Sequence, residues 1–412
     1  MARKVVAIIG TLDTKGAEYA YLKQQIESQG VATLVINVGV FGRPPFAPDI
    51  AAVEVARAGG ASLEAIAAAG DRGKAVEAMS AGAAVVLKRL YDQGKIDGVI
   101  AMGGGGGTTL GSIAMQALPV GVPKLIVSTM ASGDTSAYVG VKDIAMMPSI
   151  VDVAGVNRLS SRIIANAAGA IAGMVKIDPS LPASAKPMIA ATMFGVTTAC
   201  VNKAREALEQ AGYEVLVFHA VGSGGRAMEE LVRAGFVVGV LDMTTTELAD
   251  ELAGGVLSAG PRRLEAAGEK GVPQVVSLGA LDMVNFGARD SVPAKYSERK
   301  FYQHNPLVTL MRTTRAENAE LGRIIAEKLS RAKGPTVLMI PGKGVSAIDV
   351  PGQPFFDMEA DEALFGALRA NVASNVVVVE MDTDINSPEF AIEAANRLLQ
   401  LLRAQRPDPA HG

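Results

Sequence analysis

Residues 98–118 read GVIAMGGGGGTTLGSIAMQAL, from Gly98 to Leu118, and this stretch decides the fold. A short apolar run gives way to five consecutive glycines, Gly103–Gly107, and then Thr108 and Thr109 open a helical pattern. Strand, glycine turn and helix in direct succession form the repeating unit of a parallel sheet. The same order recurs on both sides. The first half predicts strands at Lys4–Ile9, Ala32–Val38, Gly98–Ala101 and Lys124–Val127, with helices at Ala17–Gln29, Lys74–Gln93 and Leu110–Leu118. A further helix, Val156–Met174, is apolar on nearly every face, which predicts burial against a neighbouring element or a second subunit.

Asp178–Lys186 (DPSLPASAK) carries two prolines among small polar residues and reads as a linker. After it the alternation restarts. Strands are predicted at Pro187–Ala191, Glu214–Phe218, Phe236–Leu241, Gln274–Leu278, Thr336–Ile340 and Asn375–Val379, with helices including Thr314–Ala332 and Pro388–Arg403. The expected fold is α/β: two Rossmann-like, doubly wound parallel-sheet domains, residues 1–180 and 187–405, followed by a disordered tail, Arg406–Gly412.

Composition narrows the function. A length of 412 residues fits about two domains. The net charge of −3 gives no footprint for a nucleic-acid backbone. One Cys forbids an intrachain disulfide and suits a reducing compartment. No apolar run reaches the roughly 18 residues of a membrane span, and the run near the start is too short for a signal peptide. The expectation is a cytoplasmic protein with no nucleic-acid or membrane partner. Trp is absent while Ala, Gly and Met abound, so the core is expected to be close-packed and filled by Met.

Ligands of open parallel sheets bind at the carboxyl ends of the strands. Three loops there are unusual: Gly10–Gly16 (GTLDTKG), Gly103–Thr109, and Ser128–Thr135 (STMASGDT). Glycines let main-chain N–H groups face an anion, and a helix N-terminus favours negative charge. Lys15 supplies a point charge, Asp13 suits a ribose hydroxyl, and Asp134 suits Mg²⁺, which takes few carboxylates plus phosphate. Singly, each glycine loop is more often a tight turn, and Thr14, Thr108 and Thr109 serve as helix caps. Three on one sheet edge favour phosphate. Walker A is absent, since neither Gly94-Lys95 nor Gly342-Lys343 precedes Ser or Thr, and G-x-G-x-x-G is matched only loosely.

These loops resemble a known family, the ATP-binding domain of the tomato protein that confers tobamovirus resistance, with its bacterial and fungal relatives. The resemblance continues through Ser149–Met174, Thr192–Cys200 (TMFGVTTAC), Phe218–Glu229, Leu241–Leu248 (LDMTTTEL), Gly279–Gly287, His304–Thr314 and Pro341–Asp349 (PGKGVSAID), so it covers nearly the whole chain. It departs in lacking a Ser within the glycine run and in having Ala199 where Pro is common. The resemblance implies ATP with Mg²⁺ in the N-terminal domain and a homodimer. By position it points to Thr11, Asp13, Thr14 and Lys15, to Gly104, Gly105, Gly106, Gly107, Thr108 and Thr109, and to Met130, Ala131, Ser132, Gly133, Asp134 and Thr135. Arg72 is a further phosphate candidate, equally readable as an exposed helix charge.

In the second half, predicted strand ends deliver Asp242 and Glu247, His219 before a GSGG turn, Asp282 with Asn285, and Lys343 with Ser346. A polar loop, Arg299–Thr314, adds Arg299, His304, Asn305, Arg312 and Thr313. Aligned on one edge, Lys343, His304, Asp242, Glu247, Asp282 and Arg299 would bind a small anionic metabolite and move a proton. The bland readings stand beside this: Asp242 and Asp282 as helix caps, His219 as a satisfied core or capping residue, Arg299 and Arg312 as partners of nearby carboxylates, and Cys200 as packing rather than nucleophile. Two His without further ligands argue against zinc. Three functions compete: a nucleotide-dependent or nucleotide-regulated enzyme, a non-catalytic ATP-binding interaction module, and an NAD(P)-dependent oxidoreductase, for which no ribose-specifying acid is evident.

Overall fold

The computed structural model describes residues 3–178 and 186–405, and the linker and tail read from sequence lie largely outside them. The chain forms two compact units, Met1–Leu181 and Pro182–Gly412. Among the described residues no helix is long and apolar enough to cross a membrane.

The first unit is a parallel sheet of β1 (Val5–Gly10), β2 (Ala32–Asn37), β3 (Gly98–Gly103), β4 (Lys124–Ser128) and β5 (Ala145–Pro148) in the order β2-β1-β3-β4-β5. Its helices are α1 (Leu12–Ser28), α2 (Ala52–Ala58), α3 (Leu63–Ala69), α4 (Arg72–Asp92), α5 (Gly105–Gln116), α6 (Ser136–Val139) and α7 (Ser160–Lys176). Strand side chains alternate between two faces. Val6, Ile8, Ile100 and Met102 meet Tyr19, Leu22 and Ile26 of α1 and Ile164 and Ile171 of α7. Ala7, Ile9, Val99 and Ala101 meet Val55 of α2, Met79, Val86 and Leu87 of α4, and Leu110 and Met115 of α5. Burial on both faces explains why the strands read as continuous apolar runs. Ile164, Ala168, Ile171 and Val175 of α7 are buried against its own unit.

The strand order reverses at β1, whose connections run to β2 on one side and β3 on the other, so a ligand crevice opens between β1 and β3. The ladder between them ends at the Ile9–Ala101 pair. One residue on, the Tyr19 hydroxyl donates to Met102 O (2.5 Å) and accepts from Met102 N (3.0 Å), replacing the missing strand partner. Gly10 makes room for it: a Cβ there would lie 2.1 Å from the Tyr19 ring.

The second unit holds β6 (Met188–Met193), β7 (Glu214–His219), β8 (Gly239–Thr244), β9 (Gln274–Gly279), β10 (Met283–Phe286), β11 (Phe301–Asn305), β12 (Val308–Arg312), β13 (Thr336–Pro341) and β14 (Val376–Met381). Six of them form a parallel sheet, β14-β13-β9-β8-β6-β7. Helices α8 (Thr198–Gln210) and α14 (Pro388–Ala404) cover one face. The other face carries α9 (Ser223–Arg233), α10 (Glu247–Ala253), α11 (Ala266–Lys270), α12 (Arg315–Ser330) and α13 (Met358–Asn371). Two features depart from expectation. The segment taken for a polar loop, Arg299–Thr314, is the hairpin β11–β12, which pairs with β10 in a small antiparallel sheet. Strand β8 starts and ends three residues later than expected, which carries Asp242 and Thr244 into the core.

Candidate functional site

A cavity of about 370 Å³ lies at the β1/β3 crevice, a volume in the range of small-molecule sites. Thr11 and, from the first turn of α1, Asp13, Thr14 and Lys15 line it after β1, and Gly104–Gly107 line it after β3. Val38, Gly39, Val40 and Phe41 follow β2, Arg72, Ala75 and Val76 come from α4, Leu110 comes from α5, and Asp152 follows β5. The lining therefore combines apolar and polar residues.

The glycines belong to a helix start rather than to a loop. Gly104 is the N-cap of α5, and Gly105–Gly107 form its first turn. The first helical bond is Thr108 N to Gly104 O (2.9 Å), so the three glycine N–H groups precede any acceptor. Their individual reasons differ. A Cβ on Gly103 would lie 3.0 Å from Gly107 Cα, and one on Gly107 would lie 3.1 Å from Met102 O, so these two serve packing. Around Gly105 there is open space, and the nearest atom to a Cβ on Gly106 is a Val76 methyl at 3.7 Å. Nothing within the unit requires glycine at these two, and bare backbone there leaves the amides accessible.

Thr108 and Thr109 are not caps. Their hydroxyls bond back to Gly104 O (2.8 Å) and Gly105 O (2.9 Å), and buried Thr108 also meets Ser128 Oγ at 2.6 Å. Thr14 lies within α1, its hydroxyl on Thr11 Oγ1 (3.0 Å). Lys15 breaks the helical geometry of α1, and its ammonium donates to Val153 O. Asp13 Oδ2 accepts the Phe41 N–H (2.9 Å) and fixes the strap after β2. A Cβ on Gly39 would sit 2.2 Å from Asp13 Oδ1, which shows how closely the strap lies on this carboxylate. Arg72 is exposed and has no ion-pair partner among the described residues. The third loop stays outside the lining. Met130, Ala131, Ser132, Gly133, Asp134 and Thr135 follow β4, with Asp134 Oδ1 engaged by Ser136 N (2.9 Å). Asp152, absent from the sequence reading, takes a place in the cavity.

In the second unit the expected catalytic residues do not converge. Asp242 and Glu247 clasp a fully buried guanidinium, that of Arg263: Nη1 and Nη2 meet Asp242 at 2.5 and 2.7 Å, and Nε meets Glu247 at 2.6 Å. Glu229, whose pKa burial raises, stands 3.6 Å away. The other Glu247 oxygen accepts N–H groups of Gly222 (2.6 Å) and Gly225 (3.1 Å), so the chain's own carboxylate occupies the GSGG turn. Asp242 is a strand residue, not a cap, because Arg263 makes its burial tolerable.

Asp282 accepts Ser346 Oγ (2.9 Å) and belongs to a separate buried cluster in which Arg312 reaches Asp361 (2.7 Å) and Asp349 (3.2 Å). Burial pushes all three carboxyls above their ordinary range. It follows β9 without capping a helix. Arg299 pairs with Glu317 (2.6 Å) of the α12 capping box, and Lys343 pairs with exposed Asp382 (2.8 Å). His304 lies exposed on β11, and His219, expected to be a satisfied core or capping residue, is exposed and stacks on Phe194 at 5.4 Å. Cys200 is buried near the start of α8, and desolvation pushes its thiol up to about 12, which removes thiolate chemistry. Among the described residues no group of three or more His, Cys, Asp or Glu could hold a metal by itself. Arg263 was missed because nothing in the local sequence distinguishes it from Arg262. The usable signal was the surplus of acids at Asp242, Glu247 and Glu229, which need a buried cation.

Models of the Uncharacterised protein family (UPF0261) match twice, its N-terminal domain over residues 4–180 and its C-terminal domain over 186–402. A UPF0261 protein of Clostridium tetani is 55% identical over 400 residues, 97% of this chain and 99% of that one. The ToMV resistance protein Tm-1(GCR237) of Solanum lycopersicum is 45% identical over 337 residues, 80% of this chain and 45% of the tomato protein. Among solved structures, a UDP-N-acetylglucosamine 2-epimerase from Rickettsia bellii aligns over 98% of this chain and 96% of its own at 10% identity, with a TM-score of 0.24 that carries no argument. The chain belongs to the UPF0261 family and contains both of its domains.

Proposed function

We propose that the first unit binds ATP with Mg²⁺ in the β1/β3 cavity, and that the chain is a nucleotide-regulated protein. The observation that carries the reading is the first turn of α5, where Gly105 and Gly106 are bare without a packing reason and face the same cavity as Lys15 and Arg72. Those amides suit a phosphate group, the two cations offset its charge, and the apolar lining residues Val38, Val40, Phe41 and Leu110 suit a base. The family resemblance favours ATP among nucleotides. NAD(P) has less support, since the glycine run matches G-x-G-x-x-G only loosely.

Calorimetry tests the main reading. ATP with Mg²⁺ should bind, NADH should not displace it, and Arg72→Ala should weaken it about tenfold, which is about 1.4 kcal/mol. Absence of any ATP heat, with NADH bound instead, would defeat it. ATP turnover appearing only with one of a panel of sugar acids would establish an enzyme, and binding without turnover supports a regulatory module.

A further inference from the structure

We infer that Asp152 is the protein's ligand for the divalent cation that accompanies the nucleotide, an inference that rests on the nucleotide reading of this cavity. Two carboxylates line the cavity, Asp13 and Asp152. Asp13 is closed off: Oδ2 accepts the Phe41 amide, and Oδ1, though without a hydrogen-bond partner, is buried where Gly39 packs closely on it. Asp152 is exposed, and only Oδ1 is engaged, by the N–H of the next residue, Val153, at 2.8 Å. Its second oxygen has no partner among the described residues.

The segment carrying Asp152 is fastened on both sides. Ser149 Oγ donates to Val151 O (2.7 Å), Lys15 donates to Val153 O, and buried Glu18 accepts the Gly155 amide. Lys15 and Glu18 both belong to α1, so the element that starts at the nucleotide loop also positions this carboxylate. Such support is what a ligating group needs to hold its direction.

Charge gives the second argument. A carboxylate on the wall of a polyphosphate site repels its ligand unless a cation stands between them. Mg²⁺ is a hard ion that combines one or two carboxylates with phosphate oxygens and water. Asp152 offers one such oxygen, too few to hold the ion before the nucleotide arrives. Asp134, suggested by the sequence for this role, lies outside the lining and already accepts the Ser136 amide.

The test is a calorimetric comparison of ATP binding by the full chain in EDTA and in MgCl₂, for the native chain, Asp152→Asn and Asp134→Asn. In the native chain and Asp134→Asn, Mg²⁺ should tighten ATP by about tenfold or more. Asp152→Asn should bind ATP in EDTA at least as tightly as the native chain and gain less than about threefold from Mg²⁺. With Mn²⁺ as a paramagnetic probe, the protein–ATP–Mn²⁺ spectrum should be altered in Asp152→Asn alone. Retention of the full Mg²⁺ gain and an unaltered Mn²⁺ spectrum by Asp152→Asn would overturn the assignment while leaving the nucleotide site intact. A native chain that binds no ATP under either condition would remove the site itself.

Discussion

Each glycine between Gly103 and Gly107 can be asked what its missing side chain would have touched, and the answers separate packing from binding. Gly105→Val adds a side chain where there is open space, so the melting temperature should change little while ATP affinity falls about a hundredfold or more. Gly103→Ala should do the opposite, because its Cβ meets the Gly107 backbone: a stability loss of about 1–3 kcal/mol in denaturant titration with the surviving folded protein still able to bind. The sequence showed the glycine run but not this division, since five identical residues carry no record of their neighbours. Arg263 is the converse case, invisible in sequence yet fully buried. Arg263→Ala leaves Asp242, Glu247 and Glu229 facing one another without their cation, and should cost about 3–5 kcal/mol in urea unfolding. Arg262→Ala, at an exposed guanidinium, is the control and should stay within about 0.5 kcal/mol.

At the level of elements, strands buried on both faces were legible because their Val, Ile and Leu runs stand out against Ala-rich helices. The hairpin β11–β12 was not. Its outer strand reads FYQHN and leaves Gln303, His304 and Asn305 exposed, so polarity concealed the alternation. Strand β8 was placed too early because Asp242 looks like an end, and only the distant guanidinium makes it an interior residue. Helix α5 begins five residues before the predicted start, since a run of glycine has no helical preference of its own and is held there by tertiary contacts. The buried start of α10 carries a pH dependence. Asp250 accepts Asn285 N (3.0 Å) and Asn285 Nδ2 (2.7 Å), and desolvation raises its pKa to about 7. The folded state therefore keeps a proton that the unfolded chain releases near pH 4, so this contribution is full below that value and is lost as pH rises through 7. Stability should fall across that window by up to about 1.4 kcal/mol per pH unit for this one proton. In Asp250→Asn the slope of unfolding free energy between pH 5 and pH 7 should shrink by that amount, and an unchanged slope would assign the dependence to other acids.

For the molecule as a whole, the α/β class and the parallel sheets were legible, while the functional expectations divided. In the first unit the predicted loops after β1 and β3 come together around one cavity, because parallel strands deliver their carboxyl ends to one edge and the order reverses between them. In the second unit the same logic gathered acids toward strand ends, but Asp242, Glu247 and Asp282 lie in the interior, the first two paired with Arg263 and the third bonded to Ser346. Spacing along a chain does not reveal which charges will be neutralised inside. If the cavity binds ATP as proposed, nucleotide at a hundred times its dissociation constant should stabilise the first unit by about 2.7 kcal/mol. Hydrogen exchange should then slow in β1, β3 and α5 and stay unchanged in β8 and β9. Phe41 offers a direct optical view of the same event. The chain has no Trp, and Phe41 lines the cavity with 54% of its surface exposed, so Phe41→Trp would install a lone indole beside the bound base. Stacking against that base should quench its fluorescence, turning the strap after β2 into a built-in gauge of occupancy.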